Sequence, residues 1–139
     1  MNIKVKNLSS GISIVIINEP KTYNSLSFQN LTDLIKVFKK LDRDKKTKVI
    51  IIEGSGRGFS AGHNLKEVKN LKVRNKYQKL FNLCSKLMLQ IVEGKKPVIA
   101  KVHGAAYAAG CQLVASCDLA YSTSDALFAT PGVNIGLFC

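Results

Sequence analysis

The chain has 139 residues, of which 46% are hydrophobic and 22% charged, and its formal net charge is +12. This length allows one domain with a substantial core, and this composition excludes a disordered chain. The sequence shows no apolar run of about 18 residues that could span a membrane, no signal-peptide core and no Arg-rich presequence, so the cytosol is the expected location.

The first elements predicted are a hairpin, a helix and a strand. Segments 3–8 and 12–18 are strand candidates, and the short Ser9-Ser10-Gly11 link between them favours a hairpin. Ser27 can cap a helix. An apolar stripe occupies one face of that helix: Leu31, Leu34, Ile35, Phe38 and Leu41. The aliphatic run 49–52 then predicts a strand buried on both faces.

The second half of the chain continues this alternation of strands and helices. A glycine-rich loop at 54–63 leads to Asn64 and Glu67, which fit a capping box that starts an amphipathic helix. Gly94 and Pro97 close that helix. The later elements predicted are a strand at 98–102, a helix at about 109–116, and short strands at 118–122 and 127–129. Together they predict an α/β fold with mainly parallel strands.

Two turns built from small residues each follow a predicted strand and open a helix. One is the loop at 54–63, and the other is 103–109, which holds one Gly and four Ala. Small residues let backbone N–H groups approach a ligand, and N–H groups at a helix start have no intrahelical partner. Two such groups aimed at one oxygen form an oxyanion hole, although close strand-to-helix packing would also explain the small residues.

Other classes of site are less consistent with the sequence. Residues 56–61 satisfy the pattern GxGxxA, but no second strand ending in an acidic residue follows within about 30 residues, as a dinucleotide fold requires. The four cysteines form no CxxC pair, which predicts reduced thiols and no metal site. The +12 charge is compatible with a solvated lysine face, an anionic cofactor or, least favoured, nucleic acid.

The motif FSAGHNLKE at 59–67 and the segment from PVIAKVHGAAYAAG to FATPGVNIG at 97–136 resemble the enoyl-CoA hydratase/isomerase (crotonase) family. Within the family, the chain is most similar to the enoyl-CoA hydratase domain-containing 3 subgroup. The resemblance implies an α/β fold of the ClpP/crotonase type, a spiral of ββα units. Residues 1–139 would form its N-terminal core domain and lack the family's C-terminal helical part, which would leave apolar surface near Leu137 and Phe138 uncovered.

The resemblance also implies a ligand and a set of site residues. The ligand would be an acyl-CoA thioester of fatty acid metabolism, with coenzyme A bound as part of the substrate and with no prosthetic group. Backbone N–H groups of His63 and Ala109 would polarise the thioester carbonyl. The residues implied to line the acyl-CoA site, or to lie near the CoA moiety, are Ala61, His63, Asn64, Leu65 and Lys66, and Asn24, Ser25 and Leu26. The resemblance implies a homo-oligomer, a trimer or a hexamer, and no membrane partner is expected. A eukaryotic protein of this kind would be mitochondrial.

The chain departs from the family at both hydratase glutamates, whose positions hold Gln112 and Gly132. Each acid–base group supplies about 10² to 10⁴ in rate, so ordinary hydration is disfavoured. Another lyase or isomerase reaction on acyl-CoA is expected. The alternatives are a catalytically inactive, truncated remnant of the fold, or a protein that binds CoA or RNA. The main prediction for the His63 ring is a position turned to solvent or to a phosphate. It is also the strongest side-chain substitute, because imidazole titrates near neutral pH. For the other candidate substitutes, a structural role is the main prediction. These residues are His103, Cys111, Asp118 and Asp125.

Overall fold

The computed structural model describes residues 2–136, which form seven strands and four α-helices. The strands are β1 Ile3–Asn7, β2 Ile12–Ile17, β3 Val49–Gly54, β4 Val98–Val102, β5 Ala105–Tyr107, β6 Leu119–Ser122 and β7 Leu127–Ala129. The helices are α1 Phe28–Arg43, α2 Leu65–Lys69, α3 Arg74–Val92 and α4 Ala109–Ala115, with 3-10 helices at Pro20–Thr22 and Pro131–Ile135. The predicted α/β alternation is confirmed, and β5 is an additional strand that the sequence pattern did not predict.

The strands form two sheets. The main sheet has the order β1-β2-β3-β4-β6, in which β1 and β2 make the predicted antiparallel hairpin and all other neighbours are parallel. β5 and β7 pair in a small parallel sheet, which a bridge from Ala106 extends to Ser60. β4 and β6 belong to the main sheet, and the strands that follow them, β5 and β7, belong to the small sheet. A helical segment follows each of these two strand pairs. This arrangement is the ββα repeat that the family resemblance implied.

The core lies on one face of the main sheet, under α1 and α3. Apolar side chains of both helices pack there against alternate strand residues such as Ile50 and Ile52. Ile51 is only half-buried, and on its face of the sheet Lys101 Nζ lies 2.8 Å from Glu53 Oε2. The prediction that both faces of β3 are buried is therefore wrong, because within residues 2–136 the helical layer covers one face only.

The helix predicted after the glycine-rich loop is in fact two helices, α2 and α3. Asn64 caps α2 as predicted, since its side-chain oxygen accepts the N–H groups of Lys66 and Glu67 at 3.1 and 3.2 Å. Glu67 does not return to Asn64 to close a capping box. Its carboxylate accepts the N–H of Phe28 at 3.1 Å instead, which ties α2 to the first turn of α1. The break before α3 contains Lys72 in the left-handed region, with a φ of 45°.

The chain leaves apolar side chains exposed around β6, β7 and the last 3-10 helix. Leu119 is 58% exposed, Tyr121 68% and Val133 66%. The predicted uncovered surface at Leu137 and Phe138 lies outside the described residues. None of the helices within residues 2–136 has both the length and the apolar character that crossing a bilayer requires.

Candidate active site

The two turns predicted to supply backbone donors lie side by side, and strand pairing explains why. Ser60 pairs with Ala106 in the small sheet: the Ser60 N–H donates to Ala105 O at 3.1 Å, and the Tyr107 N–H donates to Ser60 O at 2.9 Å. The two segments run parallel at this bridge, and His63 and Ala109 each follow the paired residue by three positions.

Two glycines allow the turns to come this close. A Cβ on Gly110 would lie 2.3 Å from the carbonyl oxygen of Ser60, and a Cβ on Gly62 would lie 3.0 Å from the nitrogen of Ala109. Gly62 also has a φ of +84°, which favours glycine. The start of α4 is therefore packed backbone to backbone against residues 60–62.

We expect Gly110→Ala to lower the free energy of unfolding by about 3 kcal/mol, since overpacking against a fixed backbone is costly. Helix propensity favours alanine over glycine by about 1 kcal/mol, so propensity alone predicts a higher free energy of unfolding for the variant. Urea unfolding measures the difference. Ala115→Ser, on the exposed face of the same helix, is the control and should stay within about 0.5 kcal/mol of the wild type. An unchanged or increased stability of Gly110→Ala would contradict the close packing.

Within residues 2–136, the backbone N–H groups of His63 and Ala109 are free. Among the described residues, no backbone or side-chain atom accepts a hydrogen bond from either group. Ala108, immediately before α4, has a φ of 49° and a ψ of −122°, and its own N–H donates to Ala129 O at 2.8 Å. Such a conformation costs a non-glycine residue about 1–3 kcal/mol and is typical of functional turns.

A cavity of about 440 Å³ lies beside these two groups. Six of the residues singled out by sequence line it together: Ala61, His63, Leu65, Ala109, Gln112 and Gly132. The remaining wall was not predicted: Val68, Phe81, Cys84, Ser85, Ala108, Pro131 and Ile135. Phe81 and Cys84 belong to the apolar stripe of α3, and nothing local distinguishes a stripe residue that faces a cavity from one that faces the core. The wall is mostly apolar, as in many sites for small ligands.

The His63 side chain is held inside this cavity. Its Nδ1 donates to the carbonyl oxygen of Leu26 at 3.1 Å, and its ring meets the Phe81 ring edge-on, with centroids 5.2 Å apart and planes at 89°. The interpretation that this imidazole turns toward solvent is therefore wrong. Burial lowers the pKa of His63, while the bond to Leu26 and the nearby Glu67 carboxylate oppose that shift.

We expect an NMR titration of His63 to give a midpoint below 6.5, the ordinary value. The pKa of His63 is lower in the folded chain than in the unfolded chain. As the pH falls below 6.5, the unfolded chain therefore takes up the proton first. The free energy of unfolding should therefore decrease from that pH downward and level off once the folded ring is also protonated. His63→Gln lacks the titrating group, so denaturation curves of this variant should not show that decrease. A midpoint at or above the ordinary value would contradict the burial of the ring.

Residues 23–26 form backbone hydrogen bonds with the turn at 61–62, and they do not line the cavity. Tyr23 O accepts the Ala61 N–H at 2.9 Å, and the Leu26 N–H donates to Gly62 O at 2.8 Å. The side chains of Asn24, Ser25 and Leu26 are 0%, 3% and 0% exposed. Asn24 donates to Ser55 O and Gly58 O at 2.7 and 2.9 Å. Their predicted place near the CoA moiety stays a prediction, and any contact that they make with a ligand would involve the backbone.

The other residues singled out by sequence lie outside the cavity wall. Lys66 is exposed, and Asn64 serves as the cap of α2. His103 Nε2 bonds to Gly56 O at 2.8 Å, and the Asp118 carboxylate accepts the Val98 N–H at 2.8 Å, which are the structural roles expected of them. Asp125 is a turn residue whose pKa is lowered by a hydrogen bond from Thr123. Cys111 is half-buried on α4.

The thiols within the described residues form no disulfide. Cys84 is buried, and Cys111 and Cys117 are half-buried. Burial raises the pKa of Cys84 to about 11 and that of Cys117 to about 12, so neither is a thiolate at neutral pH. Cys139 lies outside the described residues. Within residues 2–136, no three His, Cys, Asp or Glu side chains come together as potential metal ligands.

Comparison with protein families and known proteins gives one consistent result. The family model described as enoyl-CoA hydratase/isomerase matches residues 7–139. Enoyl-CoA hydratase domain-containing protein 3, mitochondrial, is 46% identical over 129 residues in both Xenopus laevis and Homo sapiens; the match covers 93% of this chain and 44% and 43% of those proteins. The chain therefore spans about half the length of the curated relatives it matches.

Solved structures agree with the sequence comparison. The crystal structure of an enoyl-CoA hydratase from Mycobacterium smegmatis has a TM-score of 0.97 at 43% identity, covering 100% of this chain and 54% of that chain. The crystal structure of human enoyl coenzyme A hydratase domain-containing protein 3 has a TM-score of 0.95 at 43% identity, covering 100% of this chain and 55% of that chain. These matches confirm the predicted crotonase-like fold.

Proposed function

The chain belongs to the enoyl-CoA hydratase/isomerase family, and on that premise we propose that its cavity binds the acyl group of an acyl-CoA thioester. The thioester carbonyl oxygen would accept the N–H groups of His63 and Ala109. The observation that carries this proposal is the presence of two backbone donors at one cavity, both without an acceptor among the described residues, on two turns that the Ser60–Ala106 bridge joins. Donors fixed in this way stabilise the negative charge that develops on a carbonyl oxygen.

The cavity also suits the acyl chain. Leu65, Val68, Phe81 and Ile135 give it an apolar wall, and its volume of about 440 Å³ lies within the range of small-ligand sites. Coenzyme A would be bound as part of the thioester. With an overall charge of +12, the chain attracts its anionic phosphates at long range.

The residues present favour enolate chemistry over hydration. Gln112 and Gly132 both line the cavity where the family resemblance implies the hydratase glutamates. An amide and a hydrogen atom supply neither the acid nor the base that adds water. We therefore propose that the protein processes acyl-CoA thioesters through an enolate, with little enoyl-CoA hydration.

A panel of saturated and unsaturated acyl-CoA thioesters tests the proposal. Calorimetry should show binding that depends on the acyl group and exceeds the binding of free coenzyme A, and mass spectrometry should detect the product. If none of the thioesters binds at millimolar concentration, the proposal is wrong. Binding without any product or exchange would leave the alternative of a protein that binds acyl-CoA without catalysis.

The names of the relatives support a location for this protein, and the family resemblance supports an assembly. The curated relatives from Xenopus laevis and Homo sapiens carry the word mitochondrial in their names. We propose that this chain works on the acyl-CoA pool of its cell, in the mitochondria if the source is eukaryotic. A homo-oligomer, as the family resemblance implied, stays a prediction that light scattering can test.

A further inference from the structure

We propose that Nε2 of the His63 side chain is the base that removes the α-proton of the bound thioester. This inference rests on the proposed function and adds a catalytic group to it. His63 would then have two separate roles: its backbone N–H binds the carbonyl oxygen, and its imidazole takes the proton from the adjacent carbon.

The bond to Leu26 fixes the tautomer of the ring. A carbonyl oxygen only accepts hydrogen bonds, so the His63 nitrogen that lies 3.1 Å from Leu26 O must carry a hydrogen. In a neutral imidazole the other nitrogen then carries a lone pair. Nε2 is consequently the basic nitrogen of His63.

This nitrogen is available to a ligand. Among the described residues, no atom forms a hydrogen bond with Nε2 of His63, and the atom is not sealed in the protein interior. The ring itself lines the cavity. The edge-on contact with Phe81 and the bond to Leu26 hold the ring at two points, which limits its rotation.

The surroundings keep the imidazole neutral until it reacts. Burial lowers the pKa of His63, so at neutral pH the ring is a free base. The nearby carboxylate of Glu67 on α2 opposes this shift, and Cys84 of α3, which lines the same cavity, is uncharged at neutral pH. The glutamate also stabilises the imidazolium that forms when the ring accepts a proton.

The step conserves atoms and charge. The Cα–H bond of the thioester breaks, its proton moves to Nε2, and its electron pair forms the C=C bond of an enolate while the carbonyl π pair becomes the charge on oxygen. The N–H groups of His63 and Ala109 bind that oxygen, and the imidazolium then returns a proton to the carbon. In D₂O a saturated acyl-CoA would thus exchange its α-hydrogens for deuterium without net reaction, and an unsaturated one could return the proton at a different carbon and shift its double bond.

Deuterium incorporation into butyryl-CoA, followed by mass spectrometry, tests this step on the intact chain. His63→Gln keeps the backbone N–H and removes the base, so at saturating butyryl-CoA it should exchange the α-hydrogens about 10² to 10⁴ times more slowly than the wild type. His103→Gln is the matched control, because that histidine lies outside the cavity wall, and it should exchange at the wild-type rate.

Two further readouts separate a base from a structural residue. The wild-type exchange rate should rise with pH and level off with a midpoint below 6.5, the ordinary value for histidine. Added imidazole should restore exchange to His63→Ala. If His63→Gln exchanges at the wild-type rate, or if the wild type binds the thioester without exchange, the inference is wrong and the proposed binding function stands. If the wild type does not bind, the proposed function itself fails.

Discussion

Replacing the Ala109 backbone amide by an ester should slow α-proton exchange of a bound acyl-CoA about 10²- to 10³-fold, the effect of losing one oxyanion donor. Incorporating the α-hydroxy analogue of alanine removes the N–H and keeps the side chain. This N–H has no acceptor among the described residues, so the substitution breaks no bond within that part of the chain. The loss should appear in kcat with little change in KM, because the enolate gains more from the donor than the ground-state carbonyl does.

The control for the ester is the same substitution at Ala126. The Ala126 N–H donates to Thr123 O at 3.1 Å in a turn whose residues do not line the cavity. This variant should lose a little stability and keep the wild-type exchange rate. Equal rates for the wild type and the Ala109 ester would exclude the Ala109 N–H as a catalytic donor and would leave His63 to be tested alone.

Restoring both carboxylates, in the double variant Gln112→Glu with Gly132→Glu, should create enoyl-CoA hydration. Each acid–base group contributes about 10² to 10⁴, so we expect each single variant to gain less than the pair. We expect hydration because both positions line the same cavity as the N–H groups of His63 and Ala109. Water held there by the two carboxylates would lie against a polarised thioester. The measurement is the loss of crotonyl-CoA absorbance, with product identified by mass spectrometry.

Ser85→Glu is the matched control for this gain. Ser85 lines the same cavity from α3, so this variant adds one carboxylate, as each single variant does, at a position with no acid–base role in the proposal. It should not raise hydration. A double variant that still binds crotonyl-CoA but hydrates it no faster than the wild type would show that the missing glutamates are not what limits this reaction.

The two proposed roles can be tested separately, because one belongs to backbone N–H groups and the other to the His63 side chain. The Ala109 ester probes a donor without altering any side chain, and His63→Gln probes a side chain without altering either donor. A result in which the ester slows exchange and His63→Gln does not would support the oxyanion hole and reject the base. The reverse result would place the proton transfer at His63 and require another source of charge stabilisation.

Local sequence was enough to determine most of the elements and the family. The apolar stripe of α1, its cap at Ser27 and the cap of α2 at Asn64 are confirmed, since each depends on residues only a few positions apart. The motif around His63 and the segment around Ala109 carried the family resemblance, which the comparisons confirm. The absence of carboxylates at positions 112 and 132 is likewise readable from the sequence alone.

Only the tertiary structure decided how these pieces form a site. The bridge between Ser60 and Ala106 sets the register that brings His63 beside Ala109. The Leu26 carbonyl selects the tautomer of His63, and Glu67 binds Phe28 instead of closing its own capping box. Each of these contacts joins segments far apart along the chain. Periodicity and capping patterns describe which face of an element is apolar and where it starts, but they carry no information on which distant carbonyl will meet a given donor.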